Sequence, residues 1–132
     1  MNNLQEICET LLNNADLTLS VNGDTGVIKL EFYPASYKDN GIVTFYCSNY
    51  SRLSYRKSAD EEDLIFVGET HVTIIEKKSD IAKLYKEDGW LEYNQNLLNT
   101  VAKIETYGGG MLSIVCEKFS WKQENNPITQ VL

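Results

Sequence analysis

The sequence predicts an α+β domain in which helices cover one face of an antiparallel sheet. Apolar side chains recur at helical spacing over the first fifteen residues, and they then alternate with polar ones along most of the chain. A second helical pattern precedes the last strand. The predicted order is therefore an N-terminal helix, an antiparallel β-meander of about five or six strands, a C-terminal helical segment and a final strand.

The N-terminal helix is predicted over residues 4–15. Asn3 can act as its N-cap with Glu6 three residues on, which is the spacing of a capping box. One side of this helix carries an apolar stripe, made of Leu4, Ile7, Cys8, Leu11, Leu12 and Ala15.

The next segments have a period of two, which is typical of strands. Residues 17–21 and 28–32 flank "NGDTG", whose residues can adopt positive φ, and together they predict a β-hairpin. A third strand is predicted over 41–48, with Val43, Phe45 and Cys47 on one face. A turn at "SNYS" then leads to a fourth strand over 51–57.

The sequence "LIFVGETHVTIIE", residues 64–76, is long for a single strand, so Gly68 is predicted to mark a bend or a bulge. The acidic run "DEED", residues 60–63, precedes it and is expected to form a solvated turn.

The C-terminal third starts with a short helix from Asp80 that Gly89 can end with a positive φ. Residues 90–106 fit both helical and strand spacing, and we favour a helix that stops at Gly108. The glycines of "YGGGM", 107–111, lead into a strand, so a loose connection explains them better than a phosphate-binding loop. The final strand runs from Leu112 toward Trp121.

The domain is predicted to span residues 1–121, a normal size for one core. Residues 122–132 are expected to be a C-terminal tail, either frayed or added to a sheet edge.

Charge and cysteine content limit the compartment and the partners. The formal net charge is −7, which repels nucleic acid and anionic membranes and attracts a basic protein. The N-terminus has no cationic leader, and no apolar run is long enough to span a bilayer. Three cysteines are an odd number, which suits a reducing cytosol better than a disulfide framework. We therefore expect a cytoplasmic protein.

Few residues in the sequence are candidates for catalysis or metal binding. His71 is the only histidine, and in a regular strand it shares a face with Glu69, so the two are a candidate acid–base pair. No serine or cysteine nucleophile lies near them in sequence, and an ordinary solvent-facing histidine is the favoured interpretation. The chain has no C-x-x-C or H-x-x-x-H pair, so we predict no metal and no cofactor. The cysteines are expected to pack in the core.

The segment "FYCSNYSRLSYRKS", residues 45–58, is unusual in an acidic chain, because it holds three tyrosines and both arginines. Arg52 and Arg56 lie four apart, hence on one side of a regular strand, and Tyr50 joins them. Such a face fits a carboxylate or phosphate ligand, or an acidic edge of a partner. The alternative is a polar outer face neutralised by the acidic run. Candidate binding residues are Tyr46, Tyr50, Arg52, Tyr55, Arg56, Glu69 and His71.

These observations favour a non-enzymatic module that binds a basic protein, as an inhibitor or an immunity-type protein of the bacterial kind would. The alternative is a small-molecule-binding domain or an enzyme, with an aromatic-lined pocket between helices and sheet. A third class is an assembly subunit, such as a homodimer joined along an edge strand.

Overall fold

A computed structural model describes residues 3–57, 65–89, 100–124 and 128–131 of the chain. Within these ranges the helices are α1 (Leu4–Glu9), a 3₁₀ helix (Leu11–Asn13), α2 (Tyr37–Asn40) and α3 (Lys78–Glu87). The strands are β1 (Ala15–Asn22), β2 (Val27–Pro34), β3 (Val43–Lys57), β4 (Ile65–Ile75), β5 (Val101–Gly108), β6 (Gly110–Gln123) and β7 (Thr129–Gln130).

The strands form one antiparallel sheet that closes on itself. Its order is β3-β2-β1-β4-β5-β6-β7, and β3 also pairs with β6. Six strands therefore make a ring in the order β1-β2-β3-β6-β5-β4. The β3–β6 ladder runs from Val43 opposite Gln123 to Lys57 opposite Gly110. The β1–β4 ladder is short, from Ala15 opposite Val67 to Leu17 opposite Ile65.

The main core lies on the inner face of this ring, because alternate side chains of each strand point there. Phe45 is at its centre, with ring centroids 4.9 Å from Phe32 and 5.1 Å from Phe119. All three cysteines are buried in this core, as predicted.

The predicted capping box at the N-terminus is confirmed. The Glu6 amide donates to Asn3 Oδ1 at 2.8 Å, and the Glu6 carboxylate accepts from the Asn3 amide. The helix is shorter than the predicted 4–15, since β1 already begins at Ala15. A buried hydrogen bond, 3.1 Å from Thr70 Oγ1 to the Leu12 carbonyl, joins the 3₁₀ helix to β4.

The helix α3 packs on the outside of the ring in a second, smaller core. Ile81, Leu84 and Tyr85 of α3 cluster with Val101 of β5 and Val115 of β6. Gly89 follows the helix with φ of 84°, as predicted.

None of the described helices is long and apolar enough to cross a membrane.

The predicted α+β class, with helices on one sheet face and a C-terminal helical segment, is wrong. The protein is mostly antiparallel strand, and residues 101–108 are β5 rather than helix. Ala102, Ile104 and Thr106 face the inner core, while Val101 lies under α3. Two-sided pairing with β4 and β6 overrides the local helical spacing. The rest of the predicted helix, residues 90–99, lies outside the described residues, as does "DEED".

Other strand predictions were only partly correct. The third and fourth predicted strands are one strand, β3, because both pair with β6. In place of a turn at "SNYS", β3 has Asn49 at φ of 53° and a register shift between Tyr50 and Arg52. The predicted bulge at Gly68 is confirmed by the register shift between Val67 and Glu69.

The chain beyond Trp121 also pairs with the sheet. Strand β6 continues to Gln123, and β7 pairs with β6 through Thr129 opposite Trp121. Of the two predicted alternatives for the tail, the edge addition is correct.

Candidate functional site

Arg52, which the sequence singled out for ligand binding, forms a partly buried ion pair. It lies opposite Val115 on the outer face of the sheet. Its Nε donates to both Asp88 carboxylate oxygens, at 2.9 and 3.0 Å, and its Nη2 donates to Asp88 as well. Nη1 donates to Ser113 Oγ at 3.0 Å. The arginine thus ties the C-terminal end of α3 to β3 and β6.

Arg56 shares the outer face of β3 with Arg52, as predicted, whereas Tyr50 and Tyr55 do not lie beside Arg52. The bulge interrupts the alternation that would have placed Tyr50, which is exposed, beside it. Arg56 is exposed on the outer face opposite Met111. Tyr55 packs against the inner core, and Tyr46 is half-buried next to an outer groove. Ligand binding by these residues stays a prediction.

Glu69 and His71 do share a face, as predicted. Glu69 Oε2 and His71 Nε2 are 3.2 Å apart on the exposed side of β4. On the neighbouring strand, the Tyr107 hydroxyl donates to Glu105 Oε2 at 2.8 Å, and its ring centroid is 6.0 Å from that of His71. The hydrogen bond to Glu105 raises the pKa of the Tyr107 phenol, because it favours the protonated form.

This arrangement is a polar cluster on an open surface. Across the sheet, His71 lies opposite Glu105 and Glu105 lies opposite Ser113, whose hydroxyl accepts a hydrogen bond from Arg52. The cysteine thiols are in the core, and burial raises the pKa of Cys8 to about 12, so it stays protonated at neutral pH. Among the described residues no group of three or more His, Cys, Asp or Glu could hold a metal ion.

Exposed apolar and acidic side chains gather next to this cluster. Strand pairing places Phe66 opposite Asp16, Tyr107 opposite Glu69, and Met111 opposite Tyr107. Val67 points into the core, so Phe66 and Glu69 both face outward across the bulge at Gly68. We call this region the acidic–aromatic surface: Asp16, Phe66, Glu69, Glu105, Tyr107 and Met111.

Sequence reasoning missed the apolar half of this surface. Tyr107 and Met111 lie symmetrically about three glycines, and that symmetry is the signal of a hairpin in which they pair. Interpreting the glycines as a helix stop concealed it. Phe66 was missed for a different reason, since only the pairing of β4 with β5 brings it near Tyr107.

A groove of about 250 Å³ lies on another part of the outer wall, where β2, β3 and β6 meet. Tyr46 and Ser120 are opposite each other in register there, as are Ser48 and Lys118. All four line the groove, together with Val27 and Gln130.

No protein-family model matches the chain, and no curated protein matches it significantly.

Proposed function

We propose that this protein is a non-enzymatic binding module that docks a basic protein partner on the acidic–aromatic surface. The observation that carries the proposal is the clustering of exposed apolar side chains. Among the described residues six large hydrophobic side chains are exposed, and three of them are Phe66, Tyr107 and Met111, on adjacent strands. Exposed aromatic residues and methionine grouped in this way are typical of protein interfaces.

The partner is proposed to be basic because carboxylates lie opposite two of these apolar side chains, Asp16 opposite Phe66 and Glu69 opposite Tyr107. Arg56 lies opposite the third, Met111. Asp16 and Glu69 are both exposed on the surface. With a net charge of −7, the protein would speed its encounter with a cationic protein and repel nucleic acid. Neutralisation of a basic toxin or enzyme is the role that fits such a module.

We place this activity in the cytoplasm. All three thiols are free and buried, a state that a reducing compartment maintains.

Affinity purification from the native cell, with the tagged full chain as bait, tests the proposal. We expect a basic protein that is retained at low ionic strength and released at high ionic strength. Glu69→Lys and Phe66→Ala should each reduce its recovery. The first change reverses a charge on the surface, and the second removes a ring that is 42% exposed.

Two substitutions elsewhere serve as matched controls. Asp24→Lys makes the same change in net charge at the exposed turn between β1 and β2, and Val21→Ala truncates an exposed apolar side chain near that turn. Both should recover the partner like the unmodified protein. Recovery of no partner, or of one that is indifferent to salt and to both surface substitutions, would contradict the proposal.

A further inference from the structure

We propose that the outer groove between β2, β3 and β6 binds a small organic anion, in which a carboxylate or phosphate group is attached to a flat apolar body. This site lies apart from the acidic–aromatic surface, so the inference does not depend on the protein partner.

The charge of the groove is the first argument. Of the described residues that line it, Lys118 is the one with a charged side chain. Lys122 lies next to the groove, with its Nζ 5.9 Å from the centroid of the Tyr46 ring. Lys29 is opposite Tyr46 in register on β2, and its charge is partly offset by Glu31 at 3.7 Å. In a chain with a net charge of −7, this concave region is locally basic.

The hydrogen-bonding groups of the groove are the second argument. Ser48 and Lys118 are opposite each other in register and point to the same side, as do Tyr46 and Ser120. Two serine residues and a lysine therefore line one groove. Such groups can each donate to the oxygens of a carboxylate or phosphate.

The size and the apolar lining define the rest of the ligand. Val27 and the half-buried ring of Tyr46 provide apolar contact beside the polar groups. The volume of about 250 Å³ lies just below the usual range of about 300–1,000 Å³ for ligand pockets. The groove is large enough for one ring with its anionic group.

Titration of the ¹⁵N-labelled full chain, followed by NMR, tests this assignment. The probes are phenyl phosphate, benzoate, inorganic phosphate and the neutral benzyl alcohol. We expect saturable shifts at the amides of Ser48, Lys118 and Ser120 with phenyl phosphate or benzoate, at a Kd of about 1 mM or tighter. Whichever of these two probes binds with the lower Kd shows whether the groove prefers a phosphate or a carboxylate. Benzyl alcohol should give no saturable shift at these amides.

Variants separate the contributions of charge and ring. Lys118→Ala should weaken binding about tenfold, because a charge-assisted hydrogen bond is lost, whereas Lys83→Ala on α3 should leave it unchanged. Tyr46→Leu should weaken the binding of phenyl phosphate or benzoate and leave the binding of inorganic phosphate unchanged. The assignment is overturned if no probe gives saturable shifts at these amides, if benzyl alcohol binds as well as the anions, or if Lys118→Ala binds like the unmodified protein.

Discussion

Arg52 and Asp88 are 36 residues apart in the chain, yet the Arg52 guanidinium donates to both oxygens of the Asp88 carboxylate. Their side chains are only 21% and 17% exposed, so water screens the pair weakly. The interaction holds the end of α3 against the outer wall of the sheet.

Asp88→Ala should lower the free energy of unfolding by about 2–3 kcal/mol, because it leaves the Arg52 charge partly buried without its partner. Urea unfolding measures the change. Lys29→Ala is the control, since Lys29 pairs with Glu31 at 3.7 Å and is 43% exposed, and we expect it to cost less than about 1 kcal/mol. Equal losses in the two variants would contradict a structural role for the Arg52–Asp88 pair.

Thr70→Val should cost about 1–2 kcal/mol of folding stability. The substitution keeps the size of the side chain but leaves the Leu12 carbonyl without the hydroxyl that donates to it at 3.1 Å. Thermal and urea unfolding provide the measurement, with the exposed Thr73→Val on the same strand as the control. If both variants are as stable as the unmodified protein, this hydrogen bond does not anchor the 3₁₀ helix.

Gly108→Ala should destabilise the protein by about 1–3 kcal/mol or more. A Cβ at Gly108 would collide with the Phe66 carbonyl and lie 2.8 Å from the Gly68 amide nitrogen, and neither backbone atom can rotate away. Gly23→Ala is the control, because nothing lies within 4 Å of a Cβ there. The free energies of unfolding measured in urea should differ clearly between the two variants. An equally small loss in both would show that the contact between β4 and β5 is loose.

Stability should fall at alkaline pH because of the buried thiols. Burial, with a smaller effect of Glu9, raises the pKa of Cys8 from 9.0 to about 12, and a hydrogen bond with Cys116, followed by burial, raises the pKa of Cys47. The unfolded chain therefore loses these protons first as pH rises. The stability that the protonated Cys8 thiol contributes is fully present below pH 9. It is lost as the pH rises from 9 to about 12, and the free energy of unfolding falls by up to about 1.4 kcal/mol per pH unit.

Urea unfolding under reducing conditions from pH 8 to pH 11 measures this dependence. In Cys8→Ala, the free energy of unfolding should fall less steeply above pH 9. At neutral pH this variant should be less stable than the unmodified protein. A variant whose stability falls as steeply as that of the unmodified protein would rule out the Cys8 thiol as the cause.

The correctly predicted parts of the fold are those that local patterns determine. The capping box at Asn3 and Glu6, the turn between β1 and β2, and the helix end at Gly89 each depend on residues close in sequence. The bulge at Gly68 belongs to the same class.

The errors come from contacts between distant segments. Residues 101–106 fit a helix until their pairing with β4 and β6 is known, and "SNYS" fits a turn until the length of β6 is known. The same limitation applies to the site. The sequence predicted the pairing of Glu69 with His71, but it could not place Phe66 and Tyr107 beside them. It also could not show that Asp88 pairs with Arg52.

The most direct test of the proposed function is the rate of association with the purified basic partner, measured at low and high salt. We expect the association rate constant to fall at least about tenfold as salt increases, since charge steers the encounter. Phe66→Ala should instead accelerate dissociation, because it removes apolar contact from the docked complex. Association that is unaffected by salt, together with wild-type dissociation of Phe66→Ala, would contradict docking on the acidic–aromatic surface.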